Sequence, residues 1–582
     1  MAPTPSPLIS FGLLRTVFES EHTQQLFAGT ETHDPTLRLV AQSVQFTDDE
    51  NYITSIVSAA LPTNYGGNTL VELPGMIESA IEKGFGSGSD RRAKRASPAE
   101  VCLQLLDEAD VELFHDEEQV AYAAVAQEGG GRLTYRVDSE SFAMWLNGLY
   151  YRSTRRALAE NSRSQAIGTA QARALFDGPL VNTCLRIGRH AAAVYVDLGD
   201  ETGQAVEVTA AGWSVVRDSP VRFRRGPYTQ PLAEPQAAIP LERLKQLLGL
   251  SQDNWLRVLA FILNALRPDG PYMCLLIEAE QGSGKSLLCS IIKRTIDPGI
   301  ADKLRLPKTV QDLAIHAHYN FVLVYDNASG IKWDLSDALC TLSTGGAFAT
   351  RKLYTDADLA VLRACRPFII NGIGEFAHRP DLLERAIPLQ LPPFEGIRRT
   401  EEEIFGQFEE LLPGFLGALF DTIACALRRY DEVVTPTTFR MADAVRWLTA
   451  AEPACELPDG TFVEMLQAAQ SDLMVDRLLN DPLTERIMAL IETSPFEGTM
   501  GQLHGRLVDF GNLATQRMLP KTPSHLSNQL ARLRPSLAKI GISLEIGQRT
   551  NRGRPVRIWR DGTADPGLID GIAAETTKWR PF

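Results

Sequence analysis

Residues 279–286 read Ala-Glu-Gln-Gly-Ser-Gly-Lys-Ser, set between the apolar run Cys274–Ile277 and a helical pattern over Leu287–Thr295. No other segment limits the fold as strongly. A strand, a Gly-rich turn and a helix in that order aim successive backbone N–H groups at one point on a helix N-terminus, which favours phosphate. Gly282 and Gly284 permit backbone angles and a close approach that a side chain would block. The expectation is a P-loop in which Ala279, Glu280, Gln281, Gly282, Ser283, Gly284, Lys285 and Ser286 surround the phosphates of ATP. Lys285 would meet the β- and γ-phosphates, and the Ser286 hydroxyl would ligate Mg²⁺. Ala279 stands where the usual pattern has Gly. It adds only a methyl at the start of the loop, so binding is expected to survive.

From residue 241 helices alternate with short, fully apolar runs, the signature of a parallel α/β sheet. Those runs are Tyr272–Glu278, Asn320–Tyr325 and Pro367–Asn371. The second ends in Asp326, which places a carboxylate beside the Mg²⁺. Asn327 follows, where most such proteins have Glu; it can orient water but accepts a proton poorly, and Glu280 is a stand-in base. Asn371, at the end of the third run, can sense a γ-phosphate, although Asn-Gly is also the commonest turn dipeptide. Arg385 precedes a further apolar run, Ile387–Leu391, and can reach a neighbouring subunit's γ-phosphate, with Arg379 as the alternative. Such arginine fingers are worth on the order of 10³–10⁵ in rate.

This order of P-loop, Asp-ended strand, Gly-rich hairpin, strand-end Asn and trailing Arg resembles superfamily 3 helicases, a branch of the AAA+ ATPases. It is most similar to the helicase part of phage, plasmid and poxvirus-type primase-helicases, over roughly 245–395. The resemblance implies a homo-hexameric ring with ATP between subunits, Arg385 acting in trans and 3′ to 5′ movement. It also implies that the segment Ser343-Thr-Gly-Gly-Ala-Phe-Ala-Thr-Arg351-Lys352-Leu-Tyr-Thr projects into the channel. There Arg351 and Lys352 would follow single-stranded DNA, with Tyr354 or Phe348 packing nearby. The primase part of fused members is not recognisable in residues 1–235, so a separate primase or polymerase partner is open.

Outside that core the chain divides by composition. Residues 1–84 carry helical patterns, and Gly84–Ser97 is Gly/Ser-rich and then charged, as a linker is. Residues 98–235 mix helices with strands at Ala192–Leu198, Ala205–Thr209 and Val221–Arg224. Asp197 and Asp200 there suit either a catalytic metal or ordinary turn chemistry. The Pro-spaced stretch Gly226–Pro240 reads as a boundary before the ATPase core of 241–396, and helices then dominate 397–480. Eight scattered cysteines with no Cys-x-x-Cys pair read as small buried hydrophobes rather than a zinc site.

Net charge is −14, yet Lys521–Arg560 holds nine Lys or Arg against one acid, Glu545. Within 481–565 a helix over Ser524–Arg534, with a kink or restart at Pro535, precedes strands Ile542–Ile546 and Pro555–Trp559. That order resembles the recognition helix and wing of a winged-helix domain, preceded by a helix over Met500–Phe510. Asn528, Gln529 and Arg532 would face the major groove of double-stranded DNA, and Arg549, Arg552 and Arg554 would reach phosphate or the minor groove.

The expected fold is therefore α/β: a P-loop AAA+ ATPase core with a parallel sheet, N-terminal α+β domains and a C-terminal winged-helix domain. No apolar stretch approaches the roughly 18–20 residues of a membrane span. Met-Ala-Pro-Thr-Pro-Ser-Pro lacks the basic start of a secretory signal, so a cytoplasmic protein of a bacterial or phage-infected cell is expected. The leading expectation is an ATP-dependent DNA helicase replicating a phage or other mobile element. The alternative is an ATP-gated initiator, loader or defence-type switch that does not unwind DNA. A small-molecule P-loop kinase comes third, because a kinase has no need of a basic C-terminal module.

Overall fold

The computed structural model describes residues 33–44, 49–62, 67–85, 96–351, 359–374, 376–377, 379–393, 399–435, 439–492, 494–509, 519–551 and 553–561. They fall into two compact units, 1–104 with 150–166, and 105–149 with 167–582.

In the first unit, helices His33–Val44, Glu50–Ala60 and Thr69–Ala80 bury Leu39, Val40, Ile53, Val57, Leu73 and Ile77 completely. The spacing of three and four residues puts these side chains on one face of each helix. The Asp49 carboxylate caps the second helix, accepting from the Asn51 and Tyr52 N–H groups.

The second unit is a mixed α/β structure built around a five-stranded parallel sheet. Its strands are β1 (Cys274–Ala279), β2 (Leu304–Arg305), β3 (Leu323–Ala328), β4 (Phe368–Gly372) and β5 (Ala386–Leu391), in the order β2-β3-β4-β1-β5. Leu275 and Ile277 of β1 face a core shared with Ile369, Phe415, Leu419 and the valines of a β-meander over 187–216. Leu276 faces the other core, with Tyr325, Ile370 and Phe376. Burial on both faces is why β1 reads as a continuous apolar run rather than an alternating one.

Helix α1 (Lys285–Ile296) follows the Gly-rich turn, and α2 (Val310–Tyr319) precedes β3. The Asn320–Tyr325 run begins its strand three residues late. The N–H groups of Phe321 and Val322 both donate to the Asp297 carboxylate at 3.0 Å instead of entering the ladder. Asp297 also takes Lys293 at 2.7 Å and Arg186 at 3.1 Å, so one buried carboxylate ties the end of α1, the approach to β3 and the meander.

Two further expectations change, and an open one resolves to turn chemistry. Gly226–Pro240 is no free boundary: Gln236 and Ile239 donate backbone hydrogen bonds to Pro413 and Gly414 of the 29-residue helix α3 (Glu401–Arg429). A Cβ on Gly417 would lie 1.9 Å from the Gln236 carbonyl, so glycine there opens the groove that the segment fills. Asp197 pairs with Arg225 at 2.7 Å, and Asp200 accepts from the Gly203 and Gln204 N–H groups. These acids do turn and ion-pair work rather than metal binding. Helix α4 (Pro523–Lys539) continues past Pro535 with no restart. Pro535 lies on the exposed face, where water can take the hydrogen bond it removes, while Leu526, Leu530 and Leu537 hold the other face.

Helix α3 alone among the described helices is long and apolar enough to cross a membrane, but 72% of its apolar window is buried in the protein. The C-terminal residues form their own core around three antiparallel strands: β6 (Phe496–Thr499), β7 (Ile542–Ile546) and β8 (Pro555–Arg560), with β8 central.

Candidate functional site

The Gly-rich turn leaves β1 at the carboxyl edge of the sheet. Its strand lies next to β4, whose Asn371 is level with Ile277, and β4 lies next to β3. Open α/β sheets bind ligands in the crevice outside these strand ends. Gly282 and Gly284 take φ of 83° and 82°, in the left-handed region that glycine tolerates. Lys285 opens α1 and is 6% exposed; its Nζ donates to the carbonyls of Glu280 at 3.1 Å and Ala279 at 3.5 Å. Ser286 Oγ donates to Asp326 Oδ1 at 3.1 Å. The buried Ser283 Oγ has no hydrogen-bond partner, so the turn carries an orphaned polar atom.

A hydroxyl and a carboxylate this close are hard oxygen donors suited to a small divalent cation such as Mg²⁺. Among the described residues no group of three or more His, Cys, Asp or Glu forms a metal cage.

Asp326 is aimed by a β-bulge. Tyr325 pairs with Ile370 and Ala328 with Gly372, so Asp326 and Asn327 together oppose the single residue Asn371. Asn327 has φ of 57°. Its N–H donates to Asn371 Oδ1 at 3.1 Å, and Asn371 Nδ2 donates to Cys289 Sγ at 3.1 Å. Asn371 is fully buried, and burial pushes the Cys289 thiol up to about 12. Cys289 escaped the sequence reading, although helical spacing from Lys285 and Ser286 puts it one turn on, facing the Asn371 strand.

The structure thus gathers Lys285, Ser286, Asp326, Asn327 and Asn371 at one place. Arg385 lies elsewhere, at the amino end of β5, where its carbonyl accepts from the first N–H of β1. It is 8% exposed; one guanidinium nitrogen donates to the Asp381 carbonyl and Nε has no partner. Arg379 pairs with Asp337 and Asp381 and lies 4.9 Å over the exposed Trp333 ring.

Strand Gly346–Arg351 pairs antiparallel with strand Leu359–Ala364. Arg351 ends the first strand, and Lys352 and Tyr354 lie outside the described residues. Phe348 is 4% exposed and belongs to the core, so it does not pack on a strand of DNA. A cavity of about 400 Å³ lies at the root of this strand pair, lined by Gly345, Ala347, Arg363 and Cys365.

On α4, Asn528 and Arg532 are exposed and Gln529 is half-buried. Arg549 is exposed in the loop between β7 and β8, and Arg552 lies outside the described residues. Arg554 donates to Ser527 Oγ at 2.8 Å and to the Gly547 carbonyl at 3.1 Å. It ties the loop to α4 instead of standing free for phosphate.

Residues 243–475 match the model of the actinomycete integrative conjugative element replication protein, and residues 483–567 match the C-terminal domain of the same family. Together the two matches span more than half of the chain. The chain belongs to that replication-protein family. It is a replication protein of a mobile element, and every residue gathered at the sheet edge lies within the first match. The exposed face of α4 and the β7–β8 loop lie within the second.

Two solved apo structures of the NrS-1 C-terminal region are similar to this replication protein. One covers 80% of this chain and 100% of its own at 11% identity and a TM-score of 0.38. The other covers 81% and 100% at 12% identity and a TM-score of 0.35. No curated protein matches the chain.

Proposed function

We propose that this replication protein is an ATP-driven DNA helicase: a superfamily 3-like AAA+ P-loop ATPase that works as a homo-hexameric ring on single-stranded DNA. The observation that carries the reading is the Ser286 hydroxyl on the Asp326 carboxylate, beside Lys285, at the mouth of a Gly-rich turn. In this reading the backbone N–H groups of residues 280–286 cradle the phosphates of ATP, and Lys285 leaves its loop carbonyls for the β- and γ-phosphates. Ser286 and Asp326 hold Mg²⁺, which neutralises charge on the phosphate oxygens. Arg385, remote from its own chain's turn, serves a neighbouring subunit. Arg351 and Lys352 grip the single strand, and the C-terminal body acts as a winged helix on duplex DNA, with Asn528, Gln529, Arg532, Arg549 and Arg552 as contacts.

One observation favours a second reading, an ATP-gated initiator or loader: the residue after Asp326 is Asn327, which cannot act as a strong base. Strand displacement separates the two. A forked duplex incubated with ATP and Mg²⁺ is unwound by the wild type and not by Lys285→Ala. DNA binding and ATP turnover with no displaced strand would overturn the motor in favour of the loader.

A further inference from the structure

We infer that Asn327 is a conformational residue rather than a weakened catalytic base, and that Asn371 is the positioning residue that clamps the Asp326–Asn327 bulge to α1. The inference deepens the ATPase reading and rests on it for its functional half.

The bulge sets two residues of β3 against one of β4. A bulge leaves its extra residue outside the ladder, with a backbone N–H in need of a partner. Asn371 supplies that partner from the opposing strand. Its amide orientation follows from chemistry: the Asn327 N–H can only donate, so Oδ1 faces it and the NH₂ group faces the Cys289 sulfur. One buried side chain therefore bridges the bulge in β3 to the second turn of the helix that begins with Lys285 and Ser286. The Ser286–Asp326 contact sits between those two anchors.

The identity of residue 327 follows from its backbone. At φ of 57° Asn is favoured over residues with long side chains, although Gln119, Arg155 and Glu456 take φ of 58°, 56° and 56° elsewhere in the chain. Asn at 327 therefore fits the bulge with less strain than Glu, a preference of the backbone rather than a lost base. Asn371 has no exposed surface, and its two polar groups are already engaged. It acts on the phosphate site through the Asn327 bulge, which positions Asp326, and through α1, which carries Ser286.

The test uses the full-length chain and two readouts: nucleotide-free thermal melting, and the Mg²⁺ dependence of ATP binding and turnover. Asn327→Gly should melt at or above Asn327→Ala, and Asn327→Glu roughly 2–4 °C below wild type, with turnover ranked Gly above Ala and Glu below wild type. Asn371→Ala should lower the nucleotide-free melting temperature and raise the half-saturating Mg²⁺ concentration about 10–100-fold, as loss of a partner behind a metal ligand does. Turnover of Asn327→Glu above wild type would overturn the conformational role. An Asn371→Ala chain with wild-type melting and Mg²⁺ dependence but lower kcat would overturn the clamp and make Asn371 a direct phosphate contact. If the wild type neither binds nor hydrolyses ATP, the ATPase reading fails by itself, and nucleotide-free melting alone decides. Asn327→Glu and Asn371→Ala chains as stable as wild type would then refute the bulge clamp, and destabilised ones would uphold it.

Discussion

Lys285 satisfies its ammonium with the carbonyls of its own loop, Ala279 and Glu280, and in the proposed ATP complex it exchanges them for phosphate oxygens. Charge-assisted contacts to phosphate are stronger than those to neutral carbonyls, so the exchange favours the bound state. Lys285→Ala should therefore abolish ATP turnover while the chain keeps its melting temperature, read by phosphate release beside a thermal scan. A second residue-scale prediction concerns His318. Burial, helped by Arg224, Arg136 and Arg366, pushes this imidazole down to about 4. Two of those arginines also serve the end of α2: Arg224 donates to the His318 carbonyl at 2.9 Å and Arg366 to that of Ala317 at 3.1 Å. An unfolded histidine takes up its proton near pH 6.5 and the folded one only near 4, so stability is lost as pH falls through that window. Between about pH 7 and pH 4.5 the melting temperature should fall further for wild type than for His318→Gln. Parallel curves would show that His318 titrates normally.

At the scale of elements, strands buried on both faces were legible because they can only be apolar, and β1, β4 and β5 fall within two residues of their expected bounds. The β3 strand was read early because its approach is organised by Asp297, and no local pattern announces a partner 24 residues back. A restart at Pro535 follows from a local rule, but the packed face of the helix carries it on to Lys539. Of the site, the residue types were legible but the bulge was not, because a bulge is a relation between two strands. Asp297 itself is buried, which raises a carboxyl, yet Lys293 and Arg186 outweigh this and hold it at about 2. Asp297→Asn leaves both cations buried with no counter-charge and should cost about 3–5 kcal/mol, measured by urea unfolding. In the β7–β8 loop, Arg549 is exposed. Arg549→Ala should weaken duplex binding at all sequences and lower the salt slope by about 1, measured by titration at several salt concentrations. A slope equal to wild type would remove Arg549 from the phosphate contacts.

Across the whole molecule, one apolar cluster joins the 187–216 meander, the parallel sheet and helix α3, while the C-terminal body keeps a separate core. The acidic bulk and the basic end of the chain thus belong to bodies with different cores, a division of labour that suits a motor with a DNA-reading attachment. In the proposed function ATP turnover is coupled to a DNA strand. The most direct measurement is ATP hydrolysis by the full chain with and without single-stranded DNA, in wild type, Lys285→Ala and Arg351→Ala. DNA should raise wild-type turnover, Lys285→Ala should be inactive, and Arg351→Ala should keep basal turnover but lose the DNA response. Turnover indifferent to DNA in every form would contradict that coupling.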